Sequence, residues 1–387
     1  MEVIIVGGGI VGSSVAYHLA VEGHSVTLIE RRGIAAEASG ASAGGVRQIA
    51  RHPLEVPFAV ASVARWPGLA DELDVELGYR QSGGLRLART QEQLDRLVRM
   101  INELRALGVS DLVWVDERTS REIIPGLGEG FLGGAYCPSD GSVDPTLATR
   151  AVAVAAYRHG AALEVGRRVR RLRVLGDRVA GVVFDDGEFR GGDVVVNAAG
   201  AWAGALHEGI GPALPIVTRG PQMLATVPLE QRLLVPVVAA HDARGTRTIS
   251  LKQLPCGRFM IGGGWPSATD DAGAPVVDHR HGGEAFQAAV DVLPALTGLP
   301  IERFWFGWEA ETVDALPVLD PVEGVAGYVL ALGFSGHGLA IAPAVGQAIA
   351  DVVLGREPHH PLEPLGIGRF AESGAIVEPA LPQPDAG

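Results

Sequence analysis

The sequence has little cysteine, a single lysine and no long apolar run. Its 387 residues include only Cys137 and Cys256, too few for a disulfide framework and without the spacing of metal ligands. No apolar run approaches the roughly 18–20 residues that span a bilayer, and the apolar start lacks the basic segment of a signal peptide. The formal net charge of −13 disfavours a nucleic-acid binder, which normally has a basic face. We therefore expect a cytoplasmic enzyme without a metal, a nucleic-acid partner or a membrane span.

The first 30 residues have the pattern of a dinucleotide-binding unit. An apolar run over residues 3–6 leads into G-x-G-x-x-G at Gly7, Gly9 and Gly12. A helical pattern begins near Ile10, and the next apolar run ends at Glu30. The glycines permit a tight turn, close approach to a pyrophosphate and close helix–strand packing, while the acidic residue would bind ribose hydroxyls. The helix N-terminus would then face the phosphates.

The segment that follows favours FAD over NAD. A NAD dehydrogenase usually continues with a third strand, whereas residues 31–47, RRGIAAEASGASAGGVR, suit a loop that wraps a longer cofactor. Two later glycine turns lie in VVVNAAGAWA (194–203) and GFSGHG (333–338). The second precedes a helical pattern whose N-terminus would stabilise the reduced, anionic flavin ring. Helical patterns also cover residues 91–108 and 144–160, and residues 213–265 are rich in strand patterns such as LLVPVV.

These motifs resemble the D-amino-acid oxidase, glycine oxidase and sarcosine oxidase superfamily of FAD enzymes. The resemblance covers residues 1–370 and includes ASGASAGG (38–45), GGGWP (262–266) and T-x-D-x-x-P from Thr312. SLKQLPCGRFMIGGGWP and GFSGHGLAIAP are most similar to the β subunits of sarcosine, opine and hydroxyproline oxidoreductases. The resemblance implies an α/β fold in which a Rossmann-type FAD-binding domain is combined with an α+β substrate domain. An antiparallel sheet of the substrate domain would cover the flavin.

Both implied domains are discontinuous in the sequence. The FAD-binding domain would comprise residues 1–78, 140–212 and 312–370, and the substrate domain residues 79–139 and 213–311, with a flexible tail at 371–387. The resemblance also implies the residues that contact FAD, which are Gly7, Gly9, Ile10, Val11, Gly12, Glu30, Arg31, Ser39, Ser42, Gly44, Val169, Ala199, Gly200, Gly336, His337, Gly338 and Leu339.

The sequence departs from the family pattern where relatives hold the substrate carboxylate. Glu309 stands where glycine oxidase and D-amino-acid oxidase carry an arginine, whose guanidinium can bind a carboxylate through two hydrogen bonds. Gly336 stands at the second contact of glycine oxidase, and Leu339 and Ala340 replace the lysine of monomeric sarcosine oxidase. The familiar carboxylate anchors are therefore missing.

Two interpretations of the substrate site follow. Either Arg47, Lys252 or Arg219 holds the carboxylate, or the substrate is mainly an amine that pairs with Glu309. Each candidate also has a structural interpretation: a surface or phosphate-binding arginine, a solvated edge lysine, and a salt-bridged strand glutamate. His337, beside the flavin in the resemblance, is either an acid–base catalyst or a helix-start residue that packs on the cofactor.

The predicted function is FAD-dependent oxidation of the C–N bond of an amine or amino acid. The substrate would be a secondary amine of the sarcosine, proline or opine type, or a D-amino acid, and hydride transfer to flavin N5 would give an imine. Oxygen or an electron carrier would reoxidise the flavin. Two alternatives stay open: a flavin-binding β-type subunit that is inactive without its partner, and an FAD-dependent 2-hydroxy acid oxidoreductase.

Overall fold

A computed structural model describes residues 1–270 and 275–370 of the chain, so the predicted tail at 371–387 lies outside the described residues. In chain order the strands are β1 (Glu2–Val6), β2 (Ser25–Glu30), β3 (Gly45–Val46), β4 (Gly84–Ala88), β5 (Val113–Asp116), β6 (Gly133–Cys137), β7 (Gly141–Ser142), β8 (Ala162–Val165), β9 (Val169–Leu175), β10 (Arg178–Phe184), β11 (Phe189–Gly191), β12 (Val194–Asn197), β13 (Ile216–Arg219), β14 (Pro221–Thr226), β15 (Val237–His241), β16 (Thr248–Gln253), β17 (Phe259–Pro266), β18 (Ala268–Thr269), β19 (Pro275–Val276), β20 (Ile301–Phe306), β21 (Glu309–Thr312), β22 (Val318–Pro321) and β23 (Tyr328–Leu332).

The helices of the same residues are α1 (Ile10–Val21), α2 (Ala38–Ala41), α3 (Val56–Arg65), α4 (Leu69–Leu73), α5 (Gln91–Ala106), α6 (Glu117–Ile123), α7 (Pro145–Arg158), α8 (Ala203–His207), α9 (His279–Val292) and α10 (Gly338–Val353). In the described part of the chain, no helix is long and apolar enough to cross a membrane.

A six-stranded sheet in the order β22-β23-β12-β1-β2-β8 forms the centre of one half of the fold, here called the first half, which contains strands from both ends of the chain. All its neighbouring strands are parallel except β22, which pairs antiparallel with β23 at one edge. Helices α1, α7 and α10 pack on one face, and the smaller sheet β9–β11 with α8 covers the other. Burial on both faces explains why β1 is a continuous apolar run and does not alternate.

An eight-stranded, mostly antiparallel sheet, here called the roof sheet, has the order β20-β14-β17-β16-β15-β4-β6-β5. Its strands alternate, so that one face packs against α6 and α9 while the other is turned towards the first half of the fold. Leu85, Val238 and Ile249 belong to the packed face, and their neighbours Arg86 and Ala239 to the opposite one. The roof sheet thus forms one wall of the space described below.

The predicted fold class is confirmed, and the strongly periodic segments have the predicted structure. The helices expected at 91–108, 144–160 and 338–354 are α5, α7 and α10. Asp144 is the N-cap of α7, because its carboxylate accepts a hydrogen bond from the Leu147 amide at 2.8 Å. The segment LLVPVV (233–238) is mostly irregular, since strand β15 begins only at Val237, after Pro236. The exact domain boundaries stay a prediction.

Candidate active site

A cavity of about 570 Å³ runs between the two large sheets. It extends from the glycine turn after β1, past the FAD loop (residues 31–47), to the turn that precedes α10. The carboxyl ends of β1 and β2 open into it, next to the junction at which β1 pairs with β2 on one side and β12 on the other. Ligands of open α/β sheets bind at this kind of junction.

The glycine turn at one end of the cavity admits no side chains. Gly7 has a φ of +116°, and a Cβ there would collide with the carbonyl oxygen of Ala198. A Cβ at Gly12 would collide with the Gly7 carbonyl oxygen, so α1 can lie directly against the turn only because Gly12 has none. Gly9, the N-cap residue of α1, has no side chain, and the first residues of the helix line the cavity. The backbone amides of Val11 and Gly12 are therefore a suitable site for a pyrophosphate.

Glu30 is held rigidly at the end of β2. Its Oε2 accepts a hydrogen bond from the Gly8 amide at 2.8 Å, and its Oε1 accepts one from the Arg32 amide at 2.7 Å. Each carboxylate oxygen keeps a further acceptor position, which a ribose hydroxyl can use. Beside it, the Arg31 guanidinium lies 3.5 Å from the centre of the Trp202 ring, and both residues line the cavity.

The FAD loop is tied to α1 and to the roof sheet. Ser39 Oγ accepts a hydrogen bond from the Ile10 amide at 2.9 Å, and Ser42 Oγ accepts one from the Gly44 amide at 3.1 Å. From the roof sheet, Trp305 Nε1 donates to the Ala41 carbonyl oxygen at 2.9 Å. The loop therefore follows the cavity wall along its length.

The remaining residues predicted for FAD line the same cavity, with one exception. The lining includes Val11, Val169, Ala199, Gly200, Gly336, Gly338 and Leu339. These residues, the side-chain-free turn and the N-terminus of α1 fit an extended dinucleotide such as FAD.

The exception is His337, which is not among the described residues that line the cavity. Its Nδ1 lies 2.8 Å from Oε2 of Glu55, a residue with no exposed surface. Burial raises the pKa of Glu55, but the hydrogen bond from His337 and the charges of Arg51 and Arg47 outweigh this and hold the pKa below its usual value. Burial and the charge of Arg51 lower the pKa of His337 to about 4. A neutral His337 therefore donates its Nδ1 proton to an ionised Glu55, and we assign the ring a packing role.

Glu309 lines the cavity at the opposite end from the glycine turn. Burial, reinforced by the charge of Glu311, raises its pKa to about 7, although the Gly336 amide favours the ionised form. On the neighbouring strand Arg219 is paired with Glu311, with Nε and Oε2 2.6 Å apart. Glu309 is therefore not neutralised by that arginine, and Arg219 is not free to hold a substrate carboxylate.

Arg47 and Lys252 have different positions relative to the cavity. Arg47 lines it, and its Nη1 donates to the Ile49 carbonyl oxygen at 2.7 Å. Lys252 is 5 % exposed, so it is not a solvated edge residue, and its Nζ donates to the Val143 carbonyl oxygen at 3.3 Å. Burial lowers the pKa of Lys252 to about 8. Among the described residues Lys252 is absent from the lining and lies behind the FAD loop, next to Gly44.

Sequence reasoning missed several residues of the cavity wall. Trp308, Phe334 and Met223 form apolar parts of the wall, and Arg86 adds a further guanidinium to it. The polar position of Arg86 between Leu85 and Leu87 was visible in GGLRLA (83–88), but alternation alone does not distinguish a solvent face from a cavity face.

Comparisons with known proteins agree with this geometry. A family model described as FAD-dependent oxidoreductase (DAO) matches residues 2–352. A glycine oxidase from Pseudomonas aeruginosa is 31% identical over 367 residues, which are 92% of this chain and 96% of that protein. A glycine oxidase from Geobacillus kaustophilus is 28% identical, over 95% of this chain and 97% of that protein.

Among solved structures, an L-proline dehydrogenase from P. horikoshii superposes with a TM-score of 0.89 at 29% identity, covering 96% of this chain and 98% of its own. The predicted family, the FAD cofactor and the oxidoreductase class are confirmed, whereas the individual roles of the site residues stay predictions. The chain belongs to the DAO family of FAD-dependent oxidoreductases.

Proposed function

We propose that the protein oxidises the C–N bond of an amino acid, with a secondary amine or a substituted amino acid as the preferred substrate. Relatives named glycine oxidase and L-proline dehydrogenase support amino-acid oxidation. The proposal that the site binds the substrate through its nitrogen rests on the position and pKa of Glu309. This carboxylate lies in the wall of the cavity that would hold FAD, near the turn before α10, with a pKa near neutrality.

Glu309 can bind the substrate ammonium and remove its proton. With a pKa of about 7, a substantial fraction of Glu309 is ionised at neutral pH and can accept a proton from the nitrogen. Oxidation at the adjacent carbon requires that proton to leave, because the nitrogen lone pair must be free to form the C=N bond. Bound FAD supplies the acceptor for the hydride from that carbon. Water then hydrolyses the imine product.

Apolar side chains around the site limit the access of water. Trp308 follows Gly307 at the end of β20, and Phe334 precedes the turn to α10, so both flank the wall that contains Glu309. Met223 lines the cavity from the roof sheet. A drier site strengthens the attraction between the Glu309 carboxylate and an ammonium.

The proposal is tested by anaerobic reduction of the bound flavin. Sarcosine, L-proline, D-proline and iminodiacetate should reduce it faster than glycine or D-alanine, because Trp308, Phe334 and Met223 can contact the additional carbon atoms of these secondary amines. Reduction by lactate, with none by any amine, would favour the 2-hydroxy acid alternative. Purified protein that binds FAD but reacts with neither class would favour the β-type subunit.

The Glu309→Gln variant tests the role of the carboxylate within the same experiment. The rate of reduction should fall strongly at pH 7, whereas the matched change Glu92→Gln, at a side chain that is 79% exposed, should leave it unchanged. Equal rates in both variants would contradict a proton-accepting role for Glu309. The electron acceptor, the cytoplasmic location and a partner subunit stay predictions from the sequence.

A further inference from the structure

Arg86 lies on the cavity face of the roof sheet. In β4 its neighbours Leu85 and Leu87 belong to the apolar cluster on the opposite face. Across the two adjacent strands it pairs with Ala239 of β15 and Ala135 of β6. Because side chains directly opposite one another share a face, Arg86 stands between two small residues that leave room for its long side chain.

The guanidinium of Arg86 has no partner in the part of the chain that the structure describes. Within residues 1–270 and 275–370, no hydrogen bond, ion pair or ring contact involves its side chain. Burial and, to a smaller extent, the charge of Arg47 together lower its pKa to about 10, and no carboxylate counteracts the two effects. Arg258 in the same half is, by contrast, paired with Glu302. Arg86 therefore adds an uncompensated positive charge to the cavity wall.

An unpaired, desolvated guanidinium is costly, and an anion of complementary shape removes that cost. A carboxylate fits because its two oxygens can accept two parallel N–H bonds from one guanidinium. Arg47 lines the same cavity and raises the positive potential near Arg86. We propose that Arg86 is the carboxylate anchor of the substrate site, taking the role of the arginine that Glu309 replaces.

This assignment rests on the proposed amino-acid oxidation, and it restricts the expected substrates to amines that carry a carboxylate. The cavity has a wall with the guanidinium groups of Arg86 and Arg47, where Asp140 partly offsets the charge of Arg47, and a wall with the Glu309 carboxylate. A zwitterionic amino acid matches both walls, with its carboxylate at the first and its ammonium at the second. Simple amines without a carboxylate would bind weakly, because they leave the guanidinium unpaired.

A binding experiment that does not depend on turnover tests the anchor. The holoenzyme and its Arg86→Gln variant are titrated with pyrrole-2-carboxylate and with pyrrole-2-carboxamide, which cannot be oxidised as amino acids, and perturbation of the flavin absorbance is followed. Loss of a charge-assisted pair should raise the Kd of the carboxylate by about 10- to 100-fold. The Kd of the uncharged amide should change little.

Two further variants serve as controls. Arg86→Lys keeps the charge but not the planar fork, so its Kd for the carboxylate should lie between those of the wild type and Arg86→Gln. Arg96→Gln removes an arginine of α5 that is 59% exposed and paired with Glu92, and should bind like the wild type. Flavin content and Tm show whether each variant is folded; if Arg86→Gln is not, Arg86→Lys alone decides the assignment.

The outcomes distinguish a failure of the Arg86 assignment from a failure of the proposed amine oxidation. A carboxylate Kd unchanged in both Arg86 variants, an equal loss for carboxylate and amide, or a wild type that binds no carboxylate would overturn the assignment. If the carboxylate binds as expected but no amine reduces the flavin, the anion site is upheld and amine oxidation fails. Wild-type reduction by sarcosine but not by sarcosinamide, lost in Arg86→Gln, would support both.

Discussion

Glu309→Gln should make the protein more stable at alkaline pH while it weakens catalysis. Burial raises the pKa of Glu309 from an ordinary value of 4.5 to about 7, so the folded protein holds this proton more tightly than the unfolded chain does. The free energy of unfolding of the wild type therefore decreases as the pH rises from 4.5 to 7, because Glu309 loses its proton. Above pH 7 the whole decrease is present. A difference of about 2.5 pKa units corresponds to about 3 kcal/mol.

At alkaline pH the stability that Glu309→Gln gains over the wild type is large enough to be seen in a thermal unfolding curve. For a chain of 387 residues the entropy of unfolding is about 0.8 kcal/mol/K, so 3 kcal/mol corresponds to about 4 °C in Tm. We expect Glu309→Gln to exceed the wild type by about this amount at pH 8.5 and to match it near pH 4.5. Scanning calorimetry on flavin-loaded protein at several pH values measures the difference directly.

The matched variant Glu92→Gln should show no such dependence on pH, because its side chain is 79% exposed. A Tm difference between Glu309→Gln and the wild type that is the same at pH 4.5 and pH 8.5 would refute the reasoning, since a neutral glutamine cannot lose a proton. Kinetics provide a second check. For the wild type kcat/KM should rise with pH through about 7 as Glu309 ionises, and Glu309→Gln should lack that rise.

Three further substitutions test the glycine turn, the Glu30 carboxylate and the contact between His337 and Glu55. Gly12→Ala places a Cβ against the Gly7 carbonyl oxygen and should cost about 1–3 kcal/mol, seen as a lower Tm and a lower flavin content, so unchanged values would contradict the close packing. Glu30→Gln places a side-chain NH2 donor opposite one of the two backbone N–H donors that now bond to the carboxylate. The Kd of FAD should therefore rise by about 10- to 100-fold in titrations of apoprotein. An unaltered Kd would mean that the acid does not face the ribose. His337→Ala removes the hydrogen-bond donor of the buried Glu55 carboxylate and should lower stability by about 1–3 kcal/mol at pH 7; an equal Tm would show that this bond contributes nothing.

The part of the fold that could be predicted is the part determined by local sequence. Gly7 and Gly12 act through backbone conformation and close approach, and a motif of six residues contains all of that information. Helix α7 is equally local, since Asp144 and Pro145 mark its start. The β15 strand was misplaced because its beginning depends on pairing with β4, a strand about 150 residues away in the sequence.

The charged wall of the cavity could not be predicted, because it forms only when distant strands meet. Arg86 can extend into the cavity because the residues opposite it, Ala239 and Ala135, are small. It has no ion-pair partner on these strands because neither of the two residues is acidic. The environment of Glu309 likewise depends on Arg219, which pairs with Glu311 and leaves Glu309 uncompensated. The family resemblance locates the cofactor turns through glycine motifs such as Gly7 and Gly12, but it does not identify the side chains that would select the substrate. Exchange of a few side chains on a conserved frame can therefore move a carboxylate anchor from one wall to another without altering the cofactor site.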